Sequence, residues 1–326
     1  MSDILKVENL KMHFPVKGGV FLRSLATCKA VDGVSLSVRH GETLGLVGES
    51  GCGKSTLGKC MVRLLHPTAG KVEFEGHDIT RMSRGHLLPL RRDMQMMFQD
   101  PAESLNARHT VGTILEEPYV IHKIGTRAER QKWIAENLER VGLSASAAQK
   151  FPFEFSGGQR QRIGIARAIS LNPKLIICDE PVSALDVSVQ SQVLNLMMDL
   201  QRELELSYLF IAHDLAVVRH VSDRVAIMYL GKIVEIADAD TIYENPRHAY
   251  TKALISAIPV PDPSVEREYR YIEGDVPSPI NPPEGCAFGH RMDDPNWEKS
   301  VGMDLSLKEV EPGHWVQPCP CCTDIS

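Results

Sequence analysis

The sequence predicts an α/β fold of the doubly wound kind with a phosphate-binding loop. Three observations predict it. Short apolar runs of strand type, "ETLGLVG", "KLIICDE" and "SYLFIAHD", alternate with longer stretches of helical periodicity. The first run leads through "GESGCGKST" into "KSTLGKCMVRLL", which reads as strand, glycine-rich loop and helix. The last two runs end in polar residues and the first in the glycine-rich loop, and ligands of such sheets bind at the carboxyl ends of the strands.

The elements follow in order. "ILKVENLKMHF", "KAVDGVSLSV" and "ETLGLVG" alternate apolar with polar residues around the turn signals "DG" and "HG", so they predict an antiparallel β layer. "GKVEFEG" after the glycine-rich loop is another strand. Residues 126–141 have helical spacing and many charges, which predicts a solvated amphipathic helix. "KLIICDE" and "SYLFIAHD" read as buried parallel strands, with the strong helix "VQSQVLNLMMDLQREL" between them. "RVAIMYLGKIVEIA" reads as a hairpin turning at Gly231. From Pro259 the texture changes: "IPVPDPSVER" and "VPSPINPPEG" are rich in proline, which opposes helix and sheet interiors. The boundary is set near Ala257, dividing 1–257 from a C-terminal extension, 258–326.

The glycine-rich loop carries the first chemistry. Gly48, Glu49, Ser50, Gly51, Cys52, Gly53, Lys54, Ser55 and Thr56 have the spacing of a P-loop in the strand–loop–helix context that motif requires. Missing side chains let backbone N–H groups close around phosphate oxygens, and the helix start adds partial positive charge. Lys54 reaches the outer phosphates and the Ser55 hydroxyl suits Mg²⁺. The implied ligand is a nucleoside triphosphate. Asp179, at the end of a buried strand, complements Ser55 as a Mg²⁺ partner, and Glu180 beside it is the natural general base for an attacking water. In "FSGGQRQRIGIARA", Ser156 is a helix N-cap, and Ser156, Gly157 and Gly158 form a second anion-binding surface. Two such surfaces on one chain are both used if two copies face each other head to tail.

The whole chain narrows the function classes. Its 326 residues are 43% hydrophobic and 24% charged, enough for a globular core. The formal net charge of −6 gives no whole-chain attraction to nucleic acid. No apolar run approaches the ~20 residues that span a bilayer, and "MSDILKVENL" lacks the pattern of a secretion signal. The expected location is the cytosol, or a cytosolic membrane face reached through partners. Of the eight cysteines, Cys28, Cys52, Cys60 and Cys178 are scattered and read as thiols, Cys178 as packing.

In this order the motifs resemble those of ATP-binding cassette (ABC) ATPases, over residues ~3 to ~256. The P-loop resembles Walker A, "FSGGQ" with Gln159 the signature, "LIICDE" Walker B, and "SALD" with Asp186 the D-loop. The resemblance implies that His213 in "IAHD" senses the γ-phosphate, that Gln99 in "MFQDP" touches Mg²⁺ and signals to a membrane partner, and that Phe14 stacks on adenine. It implies an antiparallel β subdomain, a mainly parallel core sheet and a helical signature subdomain. "FQDPAESLNAR", "DEPVSALDVS" and "GDVPSPINPPEGCAF" resemble dipeptide/oligopeptide importer ATPases, most closely the F-type of the paired subunits. The implied ligands are ATP and Mg²⁺. The implied partners are a paralogous ATPase subunit or a second copy, two transmembrane permease subunits and a peptide-binding protein outside the membrane, with no nucleic acid. The implied location is the cytoplasmic face of a bacterial inner membrane. Importers of nickel or another small solute share nearly every motif, so the solute stays open, as does homo- against heterodimer. Soluble cassettes acting on ribosomes or DNA are a further class, but usually carry two cassettes or a long inserted arm.

The same resemblance implies a four-cysteine iron–sulfur site in the tail. The chain departs from that pattern. "CAFGHRM" has Met292 where the second cysteine belongs, and 293–317 has none. Cys319 matches the last family ligand; Cys321 and Cys322 are extra and adjacent. A mixed set of Cys286, Cys319, one of Cys321 or Cys322, and His290 or His314 would suit zinc. The expectation is a proline-stiffened tail without stoichiometric iron, whose thiols lie near its end and in which Cys319→Ser costs little stability.

Overall fold

Alternating apolar side chains build the first layer. β1 (Asp3–Gly18) buries Ile4, Leu5, Val7 and Leu10. In its sheet it lies between β2 (Arg23–Arg39) and β4 (Ala69–Phe74), with β5 (His77–Asp78) at the edge, in the order β2-β1-β4-β5. The β1–β4 pairing is antiparallel, and it brings the strand read at "GKVEFEG" into the first layer. β3 (Thr43–Val47) does not join this layer. All five of its residues are buried, and it pairs parallel with β9 (Arg224–Tyr229). Burial on both faces is the mark of a parallel strand, and "TLGLV" has no solvent side to alternate toward. "DG" at 32–33 is not a turn. β2 runs straight through it, because Gly33 at φ 83° absorbs a local kink without a β-carbon penalty. The computed structural model describes residues 2–18, 23–100, 104–258 and 274–323. The proline-rich segment read at 258–267 therefore lies, from 259 onward, outside the described residues.

The chain divides into two compact units. One comprises Met1–Ile4, Val38–Glu42 and Arg81–Ile211. Its strands β6 (Met94–Met97), β7 (Leu175–Asp179) and β8 (Ser207–Ala212) pair in parallel, with β7 central. The helix Val187–Leu204 fills the connection from β7 to β8 and buries Val193, Leu194, Met197 and Leu200. The helices Val111–Ile121, Arg127–Arg140 and Gly157–Ile169 pack on one another. Arg127–Arg140 starts where the sequence says it should. Thr126 accepts from the N–H of Glu129, whose carboxylate accepts from the N–H of Thr126 at 2.7 Å.

The other unit comprises Leu5–Ser37, Thr43–Thr80 and Ala212–Ser326. β9 turns at Gly231 into β10 (Lys232–Asp238) as an antiparallel hairpin. The tail adds two strands that the sequence reading did not anticipate. β12 (His314–Val316) pairs with β10, and β11 (Lys308–Glu311) with β12. Further back, the Lys29 N–H donates to Pro279 O at 2.9 Å, and the Ala249 N–H to Cys322 O at 2.7 Å.

The β10–β12 junction rests on a buried carboxylate. Glu235 is 0% exposed and accepts from His314 Nε2 at 2.7 Å and from the N–H groups of Arg247 and His248 at 2.7 and 3.1 Å. Burial alone would raise its carboxyl. The hydrogen bonds from His314 and the two amides outweigh that and hold it below its ordinary 4.5. We expect Glu235→Ala to cost about 3 kcal/mol, since it strands buried donors, as a lower denaturant midpoint. A depressed carboxyl stabilises the fold fully above its unfolded pKa and progressively less as pH falls through the folded one. The difference between wild type and variant should therefore shrink below about pH 4.5.

Candidate nucleotide site

β3 delivers the phosphate loop. The chain leaves Val47 through Gly48 and enters the helix Lys54–Met61 at Gly53, φ 110°. Two glycines are obligatory for spatial reasons. A β-carbon at Gly48 would stand 2.0 Å from Met228 O, and one at Gly53 would stand 2.0 Å from Ala30 O. The helix is shorter than "KSTLGKCMVRLL" suggested, because Arg63 turns left-handed at φ 58°. Lys54 is 5% exposed and folds back over the loop, donating from Nζ to Gly48 O at 2.7 Å and to Glu49 O at 3.0 Å. A first helical turn leaves its N–H groups without intrahelical acceptors, and these are the donors an anion takes. Burial raises the Cys52 thiol above its ordinary value, so the backbone of that residue, not its sulfur, belongs to the loop's chemistry.

Glu49 makes contacts away from the helix start. Its N–H donates to Tyr250 Oη at 3.0 Å, and its carboxylate takes both oxygens to Arg291 Nη1, at 3.1 and 2.9 Å. Arg291 is only 8% exposed there. Tyr250 and Arg291 thus brace the loop from behind. Sequence reasoning missed both, and nothing local to either residue marks it. Phe14 lies half-buried on β1, and His213 stands exposed just after β8, before the helix Leu215–Val221.

In the other unit, Asp179 ends β7 at 3% exposure. Glu180 follows in the left-handed region at φ 47°, its N–H held by Ile211 O at 2.9 Å. A non-glycine residue in that region is strained by the order of 1 kcal/mol and persists where its surroundings dictate it. Gln99 Nε2 donates to Glu180 Oε2 at 2.9 Å. The structure thus joins the candidate base to the glutamine expected beside Mg²⁺. Ser156 caps the helix Gly157–Ile169 as predicted. Its hydroxyl accepts from the Gln159 N–H at 3.3 Å, and Gln159 Oε1 accepts from the Ser156 N–H at 3.1 Å. Ser156, Gly157 and Gln159 are exposed and Gly158 partly so. Asp186 is exposed at the start of Val187–Leu204, and its carbonyl accepts from Val189 and Gln190.

The tail thiols come together. Cys286, Cys319, Cys321 and Cys322 converge, all four sulfurs lying within 4.8 Å of one another. The adjacent pair Cys321 and Cys322 both reach the cluster, 3.5 Å apart. The histidines of the mixed set do not take part: His314 is bound to Glu235, and His290 packs edge-on against Trp297. Cys319 is 0% exposed, and burial argues for a larger cost of Cys319→Ser than the sequence reading expects. The hydrogen bonds of Cys319, Cys321 and Cys322 pull the Cys286 thiol below its ordinary value. An iron–sulfur cube fits this cluster in thiolate number but not in spacing. A cube puts a different iron under each thiolate, which spreads the sulfurs wider than four that crowd about one point.

Among the described residues no helix is long and apolar enough to cross a membrane. Residues 31–183 match the ABC transporter family, and residues 234–293 match the C-terminal region of oligopeptide/dipeptide transporters. The chain is 52% identical over 320 residues to the oligopeptide transport ATP-binding protein AppF of Bacillus subtilis, covering 97% of this chain and 96% of that one. It is 53% identical over 293 residues to OppF of Salmonella typhimurium, covering 88% of each. Among solved structures it resembles the dimeric cassette MJ0796 bound to ADP and Pi, with a TM-score of 0.64 and 28% identity over 72% of this chain and 98% of that one.

Gly48→Ala tests the loop geometry. Nucleotide at 100 times its dissociation constant stabilises a protein by about 2.7 kcal/mol, and we expect the variant to lose that ligand-dependent rise in melting temperature. A rise equal to that of wild type would show that the close approach to Met228 does not govern binding.

Proposed function

Because the chain belongs to the ATP-binding subunits of oligopeptide ABC transporters, we propose that it hydrolyses ATP to drive peptide import through a membrane complex. The observation that carries this reading is end-to-end identity of 52% across 97% of the chain, with every nucleotide-handling motif intact. The partners are a second ATPase subunit, related or identical, two transmembrane permease subunits and a peptide-binding protein outside the membrane. The chain sits peripherally on the cytoplasmic face of the inner membrane. Nucleic acid has no part in the reading.

The chemistry assigns a task to each group. The amides of residues 50–55 and the Lys54 ammonium bind the phosphates, while Phe14 stacks on adenine. Ser55 and Asp179 supply oxygens for Mg²⁺, which neutralises phosphate charge when bound, and the Gln99 carbonyl oxygen is the end of that side chain suited to a cation. Glu180 takes a proton from water as its oxygen bonds to the γ-phosphorus and the bridging oxygen leaves with ADP. The Gln99 amide holds the Glu180 carboxylate, and His213 contacts the γ-phosphate. The 156–159 signature and Asp186 act at the partner's nucleotide, which suits their exposure.

Glu180→Gln keeps the shape of the side chain but removes the base. With the partner's own site silenced, we expect ATP binding to persist and turnover to fall by about 10²- to 10⁴-fold. Turnover within a factor of two of wild type would remove Glu180 from the base role.

A further inference from the structure

The crowding of the tail sulfurs has a chemical meaning. Cys319 and Cys321 Sγ are 2.9 Å apart, Cys286 and Cys322 are 3.5 Å apart, and so are Cys321 and Cys322. Four thiolates at a zinc–sulfur bond length of 2.3 Å stand about 3.8 Å from one another around a tetrahedral ion. The three close pairs are tighter than this and no pair exceeds 4.8 Å, so one central ion has only to spread the sulfurs slightly. Neutral thiols gain only weak S–H···S hydrogen bonds from such packing, and four thiolates repel unless a cation lies among them. We propose that Cys286, Cys319, Cys321 and Cys322 bind a single zinc ion, with Cys321 and Cys322 taking the places left by Met292 and the cysteine-free span after it.

The surroundings suit a metal-bound thiolate. The Gly289 N–H donates to Cys286 Sγ at 3.3 Å, and such outer hydrogen bonds orient and stabilise a ligating sulfur. His248 is 0% exposed; its Nδ1 accepts from the Tyr250 N–H at 3.1 Å, and its Nε2 has no hydrogen-bond partner in the structure. An N–H at that atom directed at a thiolate sulfur would satisfy a buried group otherwise left unpaired. Gly289 itself is shaped by the site: a β-carbon there would stand 2.2 Å from Cys321 Sγ. Three of the four cysteines are buried, with Cys286 at 1%, Cys319 at 0% and Cys322 at 5%. A closed four-sulfur site of this kind is structural, with no open position for catalysis.

The ion would tie the segment 319–322 to Cys286, the residue that caps the short helix Ala287–Arg291. That helix ends in Arg291, which grips Glu49 of the phosphate loop. Zinc therefore fixes the part of the tail that braces the nucleotide site from behind.

The test is metal analysis of the full chain, purified under reducing conditions without chelator, by inductively coupled plasma mass spectrometry. We expect one zinc per chain in the wild type and in Cys28→Ser, whose thiol lies outside the cluster. Cys286→Ser and Cys321→Ser should lose it. So should Gly289→Ala, which removes no ligand but displaces Cys321. Cobalt substituted for zinc should show the intense visible bands of a tetrahedral tetrathiolate. A brown wild-type protein carrying several irons per chain would overturn the assignment. So would a metal-free wild type in which all eight thiols react after unfolding, or one with a disulfide within the cluster. The wild-type measurement decides even if a variant fails to fold, and none of these readouts depends on ATP hydrolysis.

Discussion

The phosphate loop works only where backbone can touch backbone. At Gly48 the chain passes so close to Met228 O that a β-carbon has no room, and at Gly53 it does the same against Ala30 O. β3 and β9 hold one wall of this contact through their parallel pairing, from Leu44 with Arg224 to Val47 with Ile227. Lys54 closes the loop from within by donating to the carbonyls of Gly48 and Glu49. The N-terminus of the helix Lys54–Met61 can then present its donors to an anion. A side chain at either glycine would push the loop off its support, and the lysine would have nothing to close.

The sequence was most informative where chemistry is local. Hydrophobic runs ending in Gly48, Asp179 and His213 marked the strand ends, and the cap residue Ser156 marked a helix start, because it rests on a bond spanning three residues. It was least informative where contacts close across the chain. Tyr250 and Arg291 reach Glu49 across 201 and 242 residues, and no periodicity foretells such a meeting. "DG" misled because a glycine inside a strand and a glycine in a turn share the same positive φ. Gln99 was placed beside the cation by resemblance alone, and the bond of its amide to Glu180 is a contact that the resemblance did not disclose.

The tail shows the same division. Proline and the loss of alternation marked a change of texture but not what the segment builds. β12 joins β10, and the buried Glu235 knits the two together through His314. The sequence put the four tail cysteines near the C-terminus but admitted only one of the adjacent pair Cys321 and Cys322 to a common site. Folding back over 36 residues brings Cys286 to Cys322, which spacing alone does not disclose. The tail is thus part of the same compact unit as the phosphate loop, and its Arg291 links the two directly.

The central claim is that the chain's two anion-binding surfaces serve different nucleotides: its phosphate loop its own, its signature the partner's. Nucleotide trapping in the assembled transporter tests this most directly. Ser156→Arg would be placed in this chain alone, and the ADP trapped by vanadate after hydrolysis of a photo-crosslinkable ATP analogue would be quantified on each ATPase subunit. The account predicts that trapping on the partner is lost while this chain in isolation binds ATP with unchanged affinity. Loss of ATP binding by the isolated variant, with trapping on the partner retained, would contradict it.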